Sequence, residues 1–313
     1  MRLLVIGAGA SYAECKAAGL PEELCLPLLK NLSRTLWKDF NPTPFLEAFL
    51  IERGHAILGD APQLFFELEK NEPALIEHFF AFAWRHRNDF FTPFGRCWDN
   101  LLYHGLLTPL NLVLICGLLK DNPQERVPLS ETVAAKLTGG DAVLNLNYDL
   151  IFDVALRNIG KRVTYSPHAR TDAQNILMFK PHGSFHLAVD EANSQAYFGQ
   201  VRFIGDVQPT GSARTFLGFV PPRVKKSFAD HPIANMMIAQ LVRLKPSIVT
   251  FWGVGSPESD VDLFEVYRIL CASGGRLEYV NPSDTDKARF ESRLGTRLAH
   301  YRDAKDWLTD KPL

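Results

Sequence analysis

No Cys-x-x-Cys pair occurs in the sequence. Its five cysteines (Cys15, Cys25, Cys97, Cys116 and Cys271) are odd in number and widely spaced. That argues against a disulfide framework and a cysteine-ligated zinc site, and it fits a reducing cytoplasm. There is also no long apolar run. The most apolar stretch, Leu106 to Leu119, is short and interrupted by Thr108, Pro109 and Asn111. It therefore reads as a buried helix, with no membrane attachment expected. Leu3 to Ile6 is apolar for only four residues before Gly7. A signal peptide needs roughly 7–15, so none is expected. Neither sign of charge is in excess: 34 basic and 35 acidic residues give a net charge of −1. A dedicated nucleic-acid binder would carry a basic stripe, so direct nucleic-acid binding is not expected.

What is present is the composition of an ordinary globular protein, 46% hydrophobic and 22% charged over 313 residues. Disordered and fibrous classes are excluded on that ground. Leu3-Leu4-Val5-Ile6 reads as a buried parallel strand followed at once by Gly7-Ala8-Gly9-Ala10-Ser11. Residues 12–135 lack apolar/polar alternation. Their apolar spacing of three and four, as at Phe65, Phe66 and Leu68 or Ile76, Phe79, Phe80 and Ala83, predicts helices punctuated by prolines. Strand and helix alternate again from Asp141. Strands are expected at 142–146, 163–165, 176–179, 196–198, 201–204, 247–252 and 276–280, and helices at 148–156, 232–244 and 260–271. The expected fold is α/β, a doubly wound Rossmann-like parallel sheet with a large helical insertion or cap after the first strand. The expected division is a nucleotide-binding domain at 1–12 and 136–313 and a helical subdomain at 13–135.

Ligands of such sheets bind beyond the carboxyl ends of the strands. Five segments there have suitable chemistry. Gly7 and Gly9 allow a pyrophosphate to approach the backbone, and Ser11 can cap the next helix. Tyr12 stands where a full G-x-G-x-x-G would have its third glycine, so the loop alone is a weak signal. Asn147 and Asp149 follow a strand, and either one also suits a helix cap. His182 is one of nine histidines, set beside Gly183, which permits an open approach. His186 four residues on has no third ligand at helical spacing, so a metal is discounted. Gly253-Val254-Gly255-Ser256, with Asp260, repeats the logic of the first loop. Asn281 either bonds a ribose or simply ends a strand before Pro282.

In this order the segments resemble the sirtuin-like superfamily, and most of all its prokaryotic branch in antiviral defence proteins. Pro221-Pro222 followed by Lys225-Lys226 is similar to a segment of that branch. The resemblance covers both ends of the chain and most of 141–283, whereas 12–135 matches only in being a helical insertion. Two departures stand out: the paired cysteines of the deacylases' zinc module are absent, and Asn145 occupies a position that is often Thr in relatives. The resemblance implies NAD as a substrate, cleaved at its nicotinamide–ribose bond, with no metal taking part. It implies that Asn147 positions the ribose and a water, His182 acts as general base, and Asp149 orients the ribose or shapes the pocket. Gly7, Ala8, Gly9 and Ser11 would hold phosphates; Gly253, Gly255, Ser256, Asp260 and Asn281 would contact phosphate and the adenosine ribose. Without an acyl-lysine substrate, water is the expected acceptor, giving nicotinamide and ADP-ribose, with a cyclic product left open. The implied role is a regulated antiviral effector restrained as a homo-oligomer or by a separate partner subunit. The alternative is a non-catalytic NAD or ADP-ribose sensor, motivated by Asn145 and the incomplete glycine loop. A dehydrogenase is weaker, because helical sequence replaces the acidic residue about 20 positions after the loop. A deacylase would lack its zinc module.

Overall fold

The computed structural model describes residues 1–28, 32–37, 44–57, 59–72, 74–92, 95–167, 174–190, 195–201, 215–221, 227–228, 231–255, 261–272 and 275–310. The chain opens with β1 (Arg2–Ile6) and turns directly into α1 (Ala8–Ala17). A short 3₁₀ turn (Glu22–Leu24) then leads into α2 (Leu32–Leu36), α3 (Phe45–Glu52), α4 (Ala61–Glu69) and α5 (Leu75–Arg85). A hairpin of β2 (Phe91–Thr92) and β3 (Gly95–Arg96) follows, then α6 (Cys97–Leu102), a π-helical turn (Tyr103–Leu107), α7 (Thr108–Cys116) and α8 (Pro128–Ala135). The α/β part consists of β4 (Ala142–Asn145), α9 (Ile151–Asn158), β5 (Val163–Tyr165), β6 (Ile176–Phe179), β7 (Gly183–Asp190), β8 (Gln195–Phe198) and β9 (Thr215–Phe219). It continues through α10 (Pro232–Leu241), β10 (Ile248–Trp252), α11 (Val261–Cys271), β11 (Arg276–Val280), α12 (Asp284–Leu294), β12 (Ala299–Tyr301) and α13 (Ala304–Leu308).

Seven strands form one parallel sheet in the order β12-β11-β10-β1-β4-β6-β5. From β1 the chain first builds outward through β4, then returns to place β10 on β1's other side. The strand order therefore reverses at β1, and the crevice at its carboxyl end is where such sheets take ligands. Successive residues of each central strand face opposite ways, so both faces need an apolar cover. Leu3, Val5, Val249 and Phe251 join a core with Leu263, Phe264, Tyr267 and Phe290. Leu4, Ile6, Val143 and Met178 join the other core, which runs without a break into the helical region. There Phe79 packs edge-on against Trp37, Phe49, Phe65 and Phe80, at centroid separations of 4.9, 5.7, 6.2 and 5.4 Å. Among the described residues no helix is long and apolar enough to cross a membrane.

The doubly wound parallel sheet and the helical region after β1 are as the sequence predicts. Several local details differ. The helical region contains the β2–β3 hairpin, whose strands of two residues are too short for alternation to register. The helix predicted from Tyr148 begins at Ile151, because Asp149 Oδ1 accepts from Ile151 N and the preceding residues form a turn. Val201 lies in no strand, and residues 202–204 fall outside the described residues. β7, buried throughout its eight residues, is not among the strands the sequence predicts. Its histidine, serine and aspartate mask a buried strand, and it forms a second, antiparallel sheet with β8 and β9. α12 carried a readable signal: Ser283 caps it through Asp286 N, and Gly295 ends it at φ +72°.

Phe79 is fully buried, so Phe79→Ala is expected to lower the unfolding free energy by about 3–5 kcal/mol, measured by urea denaturation. Ile51→Ala, at an exposed position on α3, is expected to change it by less than about 0.5 kcal/mol.

Candidate active site

The crevice is built around two tight turns. Gly7 N donates to Trp252 O and Gly9 N to Gly253 O, each at 3.0 Å, while Gly253 N donates to Val280 O at 3.0 Å. A Cβ at Gly7 would lie 2.6 Å from Gly253 O, and one at Gly253 only 2.1 Å from Ala10 N. Gly253 also has φ +62°. These glycines are therefore required by backbone meeting backbone, a reason the sequence does not display. Ala8 and Gly255 remain exposed at the mouth. Ser11, expected to cap α1, lies inside the helix, and Gly7 takes the N-cap position without a side-chain bond. Ser256 and Asp260 fall outside the described residues.

Ser11 instead joins Asn147 and Asp149, which arrive from the end of β4. Its Oγ donates to Asp149 Oδ2 at 2.8 Å and accepts from Asn147 Nδ2 at 2.8 Å. The second hydrogen of that amide goes to Gly7 O at 3.0 Å. Asn145 accepts Asn147 N on its Oδ1 at 3.0 Å and so shapes the turn. All three motif side chains are buried, Asn147 and Asp149 each at 7% exposure and Ser11 at 5%. Burial pushes the Asp149 carboxyl above its usual range, opposed by the Lys180 ammonium and the Ser11 hydrogen bond.

His182 follows β6. It sits in a turn closed by Gly183 N to Lys180 O at 2.9 Å, with Gly183 at φ +93°. That φ is the left-handed region that favours glycine. Its Nδ1 lies 3.3 Å from Leu146 O, next to Asn147. A carbonyl only accepts, so Nδ1 carries the proton and Nε2 is the basic nitrogen. The imidazole stacks on Phe228 with centroids 6.1 Å apart. Asn281 lies at the far edge, its Nδ2 on Val254 O at 3.4 Å and its Oδ1 accepting Ser283 N at 2.9 Å. The structure thus gathers Gly7, Gly9, Ser11, Asn147, Asp149 and His182 around the ends of β1, β4 and β6. Gly253, Gly255 and Asn281 lie at the ends of β10 and β11.

Sequence reasoning missed the polar layer beneath. Lys180 donates to Asp153 Oδ2 at 3.0 Å and to the Asp149 carbonyl at 2.8 Å, and Tyr165 OH donates to Asp153 Oδ1 at 2.7 Å. Burial raises the Asp153 carboxyl, but Lys180, His186 and Tyr165 together hold it below its usual value. His186 is bonded to Ser184 Oγ through Nδ1 at 2.9 Å. A lysine closing the apolar run Ile176 to Phe179 was the available signal. Among the described residues no group of three or more His, Cys, Asp and Glu is placed to hold a metal. A cavity of about 690 Å³ opens between the 3₁₀ turn, α2 and α7. It touches Tyr12, the neighbour of Ser11, and none of the predicted site residues lines it.

No protein-family model matches the sequence, and no curated protein matches it. Among solved structures, one similar to this chain is a Sir2 homologue in complex with NAD, at 12% identity and TM-score 0.41, covering 99% of this chain and 87% of that one. Another is a mutant Sir2 homologue in complex with ADP-ribose, at 11% identity and TM-score 0.42, covering 99% and 90%. A third, from a study of sirtuin substrate affinity, has 15% identity and TM-score 0.39, covering 94% and 92%. These values lie below the level at which structural likeness decides a relationship.

Two measurements follow from this geometry. Gly253→Ala is expected to destabilise the protein by about 3 kcal/mol or more in urea denaturation, since it meets α1's backbone at a positive φ. The second concerns pH. Burial lowers His186 from its usual 6.5 to about 4, with Asp153 opposing and Lys180 reinforcing the shift. The unfolded chain therefore takes up this proton first, so stability is full above pH 6.5 and falls as the pH drops toward 4. The raised carboxyls of Asp149, Glu14 and Glu69 act in the opposite sense. Relative to His186→Gln, the wild type is expected to lose about 2 kcal/mol between pH 7 and pH 5 in paired denaturation curves.

Proposed function

We propose that the protein hydrolyses NAD, its substrate, at the bond between nicotinamide and ribose. The observation that carries this reading is the Ser11–Asn147–Asp149 set meeting His182 beside the sheet's switch point. The motif order shared with the sirtuin-like superfamily, in its antiviral-defence branch, supports it. The diphosphate would lie at the exposed start of α1 around Ala8, at the positive end of the helix. Gly253, Gly255 and Asn281, with Ser256 and Asp260, would receive the adenosine ribose and phosphate. As the bond to the ribose breaks, nicotinamide leaves as a neutral molecule and positive charge gathers on the sugar. Both amide hydrogens of Asn147 are committed to Gly7 and Ser11, so Asn147 offers a ligand the acceptor Oδ1. That oxygen suits a water or a ribose hydroxyl, orienting its hydrogen. Water adds to the anomeric carbon and its proton passes to His182 Nε2. The products are nicotinamide, ADP-ribose and a proton. No metal takes part.

Unrestrained turnover would deplete the host's NAD. A regulated antiviral effector, held in check as a homo-oligomer or by a separate partner subunit, is the role that fits. One observation favours a second reading. Ser11, Asn147 and Asp149 bond chiefly to one another, which equally suits a non-catalytic NAD or ADP-ribose sensor.

The deciding experiment is incubation of purified protein with NAD over a range of protein concentrations, with chromatographic separation of products. Nicotinamide and ADP-ribose are expected to appear, and His182→Ala is expected to reduce kcat at least about 100-fold with the fold intact by circular dichroism. Binding of NAD without turnover at any concentration supports the sensor, and neither binding nor turnover refutes both readings.

A further inference from the structure

Lys180 and Asp153 are both fully excluded from solvent at their side chains, with 3.0 Å between Nζ and Oδ2. Such a pair is a poor stabiliser, because taking two charges out of water offsets most of their attraction. Its geometry suggests another use. The ammonium also donates to the main-chain carbonyl of Asp149 at 2.8 Å. Tyr165 holds the other Asp153 oxygen at 2.7 Å, which stops the carboxylate from rotating away. Lys180 lies two residues before His182, and the carbonyl it grips lies two residues after Asn147. One clamped ammonium therefore ties the turn carrying His182 to the turn carrying Asn147 and Asp149, from beneath and out of reach of any ligand. On the other side, Phe185 N donates to Tyr148 O at 3.0 Å, so the same turn is held at a second point.

We propose that Lys180 is a positioning residue. Anchored by Asp153, it sets the placement of the Asn147–Asp149 turn against His182 and touches no substrate. For its kinetic consequence the proposal rests on the NAD-hydrolase reading. A displacement near 1 Å between reacting groups costs about 100-fold in rate.

The test pairs Lys180→Met with Asp153→Leu, which removes both charges and keeps the volume. Melting temperature is expected to fall by several degrees, since the Tyr165 hydroxyl and the Asp149 carbonyl lose their partners, so kcat is read per folded protein. The kcat for NAD is expected to fall about 100-fold with KM within about threefold. Deuterium exchange at residues 146–151 is expected to rise, with β10 unchanged. Wild-type kcat, or a loss of kcat that only tracks a loss of folded protein, overturns the proposal. Should the double variant not fold, Asp153→Asn keeps the volume and an acceptor for Lys180 while slackening the anchor. There a kcat loss of about tenfold at constant KM supports the proposal, and an unchanged kcat overturns it. Deuterium exchange needs no substrate and so separates the two failures. If wild type does not hydrolyse NAD, faster exchange of the turn in either variant upholds the role of Lys180 while the functional reading falls. Unchanged exchange overturns it.

Discussion

A Cβ at Gly253 would stand 2.1 Å from the backbone nitrogen of Ala10, and the carboxyl end of the sheet is arranged around that missing atom. With glycine there, the end of β10 presses directly on the first turn of α1. Gly7 N and Gly9 N can then donate to the carbonyls of Trp252 and Gly253. The contact fixes the direction in which α1 leaves β1. It thereby turns Ser11 inward, toward the end of β4, where a helix starting elsewhere would turn it out.

From that placement the polar interior follows. Ser11 in its buried position must satisfy both a donor and an acceptor, and it finds Asp149 and Asn147. Asp149 is raised by burial and steadied by Lys180, and Lys180 needs Asp153 as its counter-charge. Each buried polar group demands the next, because an unmade hydrogen bond inside a protein costs more than a made one contributes. The chain of partners ends on β5 and β7, so the two turns that carry Asn147 and His182 rest on one connected layer.

The apolar interior shows the same continuity. The aromatic centre of the helical region, with Phe79 at its middle, is part of the core that covers one face of the sheet. Glu14 of α1 reinforces the join, accepting from Ser130 N at 2.6 Å at the start of α8. The helices after β1 therefore stabilise α1, and α1 carries Ser11 to the crevice.

Local pattern was enough for much of this. Apolar runs placed β1, β4, β6 and β10, because strands buried on both faces have little polar alternation to hide them. Spacings of three and four marked the helical region for the same kind of reason. The residues at strand ends were legible as candidates, since glycines, polar side chains and a histidine following an apolar run add nothing to apolar packing there. What the sequence left open depended on partners far along the chain. Ser11 reads locally as a cap, yet its partners are more than 130 positions away. Gly7 and Gly253 read as room for a ligand, whereas Gly7 is required by the backbone of Gly253, and Gly253 by that of Gly9 and Ala10. Lys180 reads as a strand end, and only folding brings Asp153 and the Asp149 carbonyl to its ammonium. Periodicity records which way a side chain faces relative to its neighbours in the chain; which atoms it meets there is decided by the packing of distant segments.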